Sequence, residues 1–186
     1  MPIRLACVGR LEPVAKGQDL ILRLLAIEPW RSRRITVSFF GRGDCEEGVR
    51  RLAEKLGVSR QVEFFGHMDD IRALWASHHA LLLPSRFEGL PLTIVEAMLC
   101  GRPVIVTDVA GNAEFVTEGV TGFIAEAPTV NHLSAAMERA WEQRRNWERI
   151  GQAAAAAIRQ FMPEDPAGVF ARRLLELARA EVDSIH

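Results

Sequence analysis

The 186-residue chain holds 23 basic and 24 acidic side chains, a net charge of −1, so global charge gives it no attraction for nucleic acid or a membrane surface. With 48% hydrophobic and 25% charged residues it has the composition of one globular domain, long enough to bury a core and neither disordered nor fibrous. Cys7, Cys45 and Cys100 lie far apart without CxxC spacing, which excludes a disulfide framework or zinc site as the leading reading.

Short β-rich runs alternate with helical patterns. Strands are expected at 3–9, 34–41, 62–66, 80–85, 103–108 and 122–125, mostly apolar without alternation, as in strands covered on both faces. Helices are expected at 18–27, 46–56, 69–76, 92–99 and 113–118. This order predicts an α/β fold: a Rossmann-like parallel sheet of about six strands with helices on both faces. The Rossmann-like core is expected over about 3–150 and a helical tail over about 151–186, with Pro163 and Pro166 breaking it before a last amphipathic helix. That helix places Phe170, Leu174, Leu177 and Ala178 on one face. Cys7 and Cys100 fall in apolar segments and are expected in the core. The opening residues do not read as a leader, so none is expected, and no apolar run approaches the ~20 residues of a membrane span. The expected location is cytoplasmic, or peripheral at the inner membrane face for a full-length protein. A strand almost at the first residue suits a domain cut from something longer.

In such sheets ligands sit at the carboxyl ends of the strands. After the first strand, "CVGRLEPVAKGQDLI" brackets Arg10 and Lys16 with Gly9 and Gly17. It is neither a GxGxxG fingerprint nor a P-loop. Two cations at a strand end suit a pyrophosphate, and two surface cations suit the same loop. After the second strand, Gly41 and Gly43 of "FFGRGDCE" leave room for a ligand near the backbone. After the third, "FFGHMDD" leaves His67 and Met68 at the same edge, the histidine read as structural rather than catalytic, with Asp69-Asp70 a helix start rather than a metal site. "DVAGNAEFVTEGVTG" holds a Gly-Asn turn, with a helix starting at Asn112 and Glu114 inside it, lining the same cleft or simply following the turn.

The stretch "SRFEGLPLTIVEAMLCGRPVIVTD" puts two glutamates into an otherwise apolar run. Pro91 suits the first residue of a helix. Leu92, Ile94, Val95, Ala97, Met98 and Leu99 point in all directions, so the helix should be buried. Thr93, Glu96 and Cys100 share one stripe. A helix N-terminus suits a phosphate and Thr93 adds a hydroxyl donor. Glu96, one turn on, can accept from ribose hydroxyls. Glu88, on the preceding loop, can accept from an attached sugar, and Gly89 admits close backbone approach. A solvent-facing Glu96 and an ordinary loop Glu88 fit the spacing equally well, as does an arginine partner for a buried carboxylate.

Taken in order, "GRLEPVAKGQD", "GRGD", "VEFFGHMDD", "PSRFEGLPLTIVEAM", "GRPVIVTD" and "EFVTEGVTGFI" resemble the C-terminal half of the family 4 retaining glycosyltransferases, which have the GT-B architecture. The resemblance implies a nucleoside-diphosphate sugar as donor, hexosyl transfer with retained configuration, and no cofactor or metal. It implies that Arg10 and Lys16 hold the diphosphate and that Glu88 meets the sugar, these three being the catalytic groups. Glu96 would take the ribose. The backbone of Gly89, Leu90, Leu92 and Thr93 would contact sugar and phosphate, Gly9 and Gly41 would border the donor, and the main chain of Met68 would meet the base. It also implies an N-terminal acceptor domain missing from this chain, an acceptor that is a glycan or lipid, and an isolated domain that binds donor but hardly transfers sugar. A nucleotide-sugar 2-epimerase and a non-enzymatic nucleotide-binding module are the rival readings.

Overall fold

The computed structural model describes residues 2–89, 91–161 and 165–183, the side chain of Pro166 and those of 178–183 excepted. Six parallel strands form one sheet in the order β3-β2-β1-β4-β5-β6. They are β1 (Ile3–Val8), β2 (Ile35–Phe40), β3 (Val62–Gly66), β4 (Ala80–Leu83), β5 (Val104–Thr107) and β6 (Gly122–Ala125), all six where the apolar runs placed them. Eight α-helices accompany them among the described residues: α1 (Pro13–Lys16), α2 (Gln18–Leu25), α3 (Glu46–Leu56), α4 (Ile71–Ser77), α5 (Leu92–Leu99), α6 (Val130–Glu142), α7 (Trp147–Phe161) and α8 (Pro166–Asp183).

The inner strands are covered on both faces because their successive side chains enter different cores, whereas the edge strand β3 leaves Glu63 and Phe65 exposed. Leu5 and Cys7 of β1 join Val37, Phe39, Ile105 and Phe123 in a core closed by α2, α3 and α6. Ala6 joins Phe40, Leu81, Leu83, Val104 and Val106 in a second core closed by α4 and α5. α7 belongs to both: Trp147 and Ile150 enter the first core, Ala154 and Ile158 the second. The expected changeover near residue 150 therefore falls inside a helix that packs on the sheet.

Several helical expectations need correction. α1 was not foreseen; its single turn is closed by Gly17, whose left-handed backbone (φ 70°) donates to Pro13 O at 2.9 Å. The helix expected at 113–118 is a shorter 3-10 turn, Asn112–Phe115, which starts at Asn112 with Gly111 in the N-cap position. Asn112 is buried and donates Nδ2–H to Thr107 O at 3.1 Å, and Val116 is already extended toward β6. Pro91 is the residue before α5, with ψ 100°, rather than its first turn. Nor is α5 covered all round: Leu92 is 62% and Leu99 40% exposed. The sheet and α7 cover its middle, while its first turn opens onto a cleft. Cys100 is only half-buried, beside Thr93 and Glu96 on the stripe, whereas Cys7 is in the core.

On α8, Phe170, Leu174 and Leu177 are exposed; Pro163 and the side chain of Ala178 lie outside the described residues. Among the described residues no helix is long and apolar enough to cross a membrane.

Candidate functional site

The chain starts at β1 in mid-sheet, builds outward through β2 and β3, then returns to β4 on β1's other flank, where Leu5 pairs with Ala80 and Ala6 with Leu81. The loops leaving these neighbours lead to helices on opposite faces of the sheet, α2 in the first core and α5 in the second, so a crevice opens at the carboxyl ends of the strands. Two hollows of about 390 and 500 Å³ adjoin there, sharing Val8, Gly9, Arg10, Leu92 and Thr93 as a common wall. The first continues as a slot floored by Phe40, Ile71 and Leu74, bordered by Gly41, His67 and Met68, and reached by Glu96. The second is bordered by Lys16 and Glu88.

The two loops are fastened together. Ala15 O accepts from the backbone N–H of Arg86 (2.7 Å) and Phe87 (3.1 Å). The Arg86 guanidinium forks onto both Asp19 oxygens at 2.7 and 2.9 Å and donates to Pro13 O at 2.6 Å. Asp19 thereby holds Arg86 more firmly charged than a free arginine. This clamp sets Glu88 against Lys16.

Lys16 Nζ donates to both Glu88 oxygens, at 2.8 and 2.7 Å, and Ser85 Oγ donates to Oε1 at 2.6 Å. Ser85 is itself held by Thr107, whose Oγ1 donates to Ser85 O at 2.6 Å. The Glu88 side chain is 5% exposed and that of Lys16 25%. A carboxylate so shielded needs such partners. Beneath the pair, burial pushes the Cys7 thiol up to about 12, Lys16 pulling it down and Glu88 pushing it up; it is a neutral core group rather than a nucleophile.

Thr93 and Glu96 present the opposite situation. Thr93 Oγ1 is shielded from solvent and has no hydrogen-bond partner among the described residues, though it borders both hollows. A hydroxyl so placed keeps its donor and acceptor capacity for a group entering the cleft. Burial raises the Glu96 carboxyl above its ordinary value. A carboxyl raised on folding costs stability as pH climbs from its unfolded value through its folded one, and the full cost persists above both. Glu96→Gln is therefore expected to raise the melting temperature near neutral pH. The gain should vanish below the ordinary glutamate value of 4.5. Thermal unfolding at the two pH values checks this, and a gain of equal size at both would contradict it.

The sequence model of the glycosyl transferases group 1 family matches residues 1–157. The chain belongs to that family. Over 129 residues it is 33% identical to the lipopolysaccharide glucosyltransferase WaaG of Escherichia coli K12, an alignment covering 69% of this chain and 34% of WaaG. Over 92 residues it is 40% identical to the Vi polysaccharide biosynthesis protein VipC/TviE of Salmonella typhi, covering 49% of this chain and 16% of that protein. The fold superposes with a TM-score of 0.77 and 28% identity on Anabaena Alr3699/HepE, solved with UDP and glucose, covering 86% of this chain and 44% of that one. The chain thus spans 34% or less of these curated relatives and under half of the solved structure. Its sheet is that of the GT-B glycosyltransferases.

In this group 1 member the fold gathers Gly9, Arg10, Lys16, Gly41, Met68, Glu88, Leu92, Thr93 and Glu96 at one sheet edge; Leu90 lies outside the described residues. A Cβ at Gly89 would meet nothing within 4 Å, so the loop is open on that side. Arg10 extends from the wall with its side chain 74% exposed, touching Glu12 only at 3.8 Å. Gly43 does not make room for a ligand: a Cβ there would strike Leu11 O, so two loops of the protein meet at that point. Gly41 borders the slot but also backs onto Gly9 O. His67 is exposed and 3.1 Å from Asp69. Asp70 caps α4 by accepting from Ala73 N at 2.9 Å, and Glu114 is exposed and borders neither hollow. Sequence reasoning missed the Asp19–Arg86 clamp, whose partners are 67 positions apart, and the slot floor of Phe40, Ile71 and Leu74, which reads as ordinary core.

Proposed function

We propose that this chain is the donor-binding half of a retaining, metal-independent glycosyltransferase that moves a hexosyl group from a nucleoside-diphosphate sugar to a glycan or lipid-linked acceptor. One observation carries the reading: a shielded Lys16–Glu88 pair and an orphaned Thr93 hydroxyl face one hollow at the amino end of α5, next to an apolar slot. The base lies in the slot against Met68, and Glu96 accepts from the ribose hydroxyls. The diphosphate meets the free N–H groups of α5, Thr93, Arg10 and Lys16. Glu88 accepts from sugar hydroxyls. As the bond from the anomeric carbon to the leaving phosphate oxygen breaks, negative charge grows on that oxygen, and the two cations and the helix dipole stabilise it. The acceptor oxygen then bonds to the same face of that carbon, and its hydroxyl proton passes to the departing phosphate oxygen.

The acceptor site is assigned to a separate N-terminal domain, in keeping with the greater length of the relatives, and the intact protein to the cytoplasm. This chain alone is expected to bind donor without transferring sugar. UDP and UDP-glucose are the first ligands to test, given the ligands of the superposing Anabaena protein. Glu88→Gln should lower affinity for the sugar nucleotide about tenfold relative to the bare diphosphate, the effect of one charge-assisted hydrogen bond. Calorimetry with both ligands measures the ratio, and an unchanged preference would remove Glu88 from the sugar.

A further inference from the structure

We infer that the opposite edge of the sheet carries a second site, for a phosphate-type oxyanion. A hollow of about 430 Å³ opens there, lined by Arg102, Arg144, Arg145, His79, Trp147 and Glu148. Ile3 opens β1, His79 immediately precedes β4, and Arg102 lies just before β5. The hollow therefore sits at the amino ends of strands whose carboxyl ends border the donor crevice, about 20 Å away at ~3.3 Å per strand residue.

Three arginines and one glutamate line this hollow, in a protein whose net charge is −1. None of the three arginines forms an ion pair among the described residues, although Glu148 borders the same space. Arg102 Nε is shut off from solvent and has no hydrogen-bond partner among the described residues. A shielded guanidinium N–H without an acceptor is costly; the Arg102 side chain is otherwise half-buried and lines the hollow, so a phosphate there would give this under-satisfied guanidinium an acceptor. The backbone beneath is firm: Arg102 N–H donates to Ala97 O at 2.9 Å, and Gly101 is in contact with Gly151 of α7. Arg144 is steadied by donating to Trp141 O at 2.9 Å and lying over the Trp141 ring at 4.7 Å. His79 Nδ1 lies 3.0 Å from Arg4 N and 3.3 Å from Arg4 O, so the ring is held against the backbone of β1 at the rim of the hollow. The wall is floored by Trp147, whose indole N–H is spent on Ala140 O at 2.9 Å. A concave space lined by three arginines matches a phosphate group better than an extended surface partner. The shared chemistry is a phosphomonoester or free phosphate, either dissolved or as a lipid headgroup.

The site is independent of the donor reading, and its test keeps the two apart. Inorganic phosphate is titrated into the full chain while the Arg Nε–H resonances are followed by NMR. The Arg102 resonance should shift and saturate. Arg145→Gln, at an exposed position, should weaken that binding about tenfold, the loss of one charge-assisted contact, and Arg102→Gln should weaken phosphate binding at this edge by at least as much. Lys16→Ala, in the donor crevice, should leave the Arg102 response unchanged. A second arm floats the protein with phosphatidylcholine vesicles containing phosphatidic acid. Flotation lost in Arg145→Gln identifies a headgroup as the source of the phosphate, and saturation by phosphate without flotation identifies a dissolved ligand. An Arg102 resonance that does not saturate with phosphate, or a response untouched by Arg145→Gln, overturns the inference.

Discussion

Replacing Lys16 with alanine should weaken nucleoside diphosphate binding roughly ten- to a hundredfold and leave nucleoside binding unchanged. One charge-assisted contact to a phosphate contributes ~1.5–3 kcal/mol, and every 1.4 kcal/mol is about tenfold. The structure adds a second consequence. Lys16 donates to both oxygens of a carboxylate whose side chain is 5% exposed. Its removal leaves Glu88 with Ser85 as its side-chain hydrogen-bond donor among the described residues. Removing one partner of a buried pair costs about 3–5 kcal/mol, so the variant should also melt earlier. Lys16→Ala/Glu88→Gln separates the effects: the neutral amide should recover much of the stability, while diphosphate affinity stays low. Calorimetry with UDP and with uridine, beside thermal unfolding of the three proteins, checks both parts. Equal losses for diphosphate and nucleoside would remove Lys16 from the phosphate. A double variant no more stable than the single one would show that the pair is not what the fold loses.

Gly17→Ala should destabilise the protein by about 2–5 kcal/mol and dismantle the crevice with it. Gly17 closes α1 at φ 70° and leads directly into α2. A side chain in the left-handed region costs ~1–2 kcal/mol, and overpacking adds ~1–3 kcal/mol. Here the added Cβ would strike the carbonyl oxygen of Pro84, backbone that cannot swing aside as a side chain would. The displaced segment begins the loop bearing Ser85, Arg86 and Glu88, so donor affinity should fall along with the melting temperature. Gly89→Ala is the control, since its Cβ would meet nothing within 4 Å. Melting curves showing Gly17→Ala as stable as Gly89→Ala would contradict the close approach.

Much of the fold was legible because periodicity and burial agree. The strand around Leu82 reads as apolar throughout because both faces of the sheet are covered, and strand-helix alternation then admits few topologies. The short elements were not legible. The turn at Asn112–Phe115 reads as a helix locally, but the buried amide of Asn112 and the extended Val116 draw the chain to β6. Leu92 reads as core by type, yet it sits where the helix meets the crevice and is 62% exposed.

What the sequence by itself determined was the layered sheet, the polar stripe of Thr93 and Glu96 on an apolar helix, and a pair of cations after the first strand. These are local patterns, set by a side chain's spacing from its near neighbours. Tertiary structure alone decided that Lys16 and Glu88, 72 positions apart, meet as a shielded ion pair, that Arg86 and Asp19 clamp their loops, and that Arg102 joins Arg144 and Arg145 at the far edge. Such contacts depend on which strands become neighbours. The jump from β3 back to β4 sets that, through the burial of the whole sheet rather than through any residue near the site.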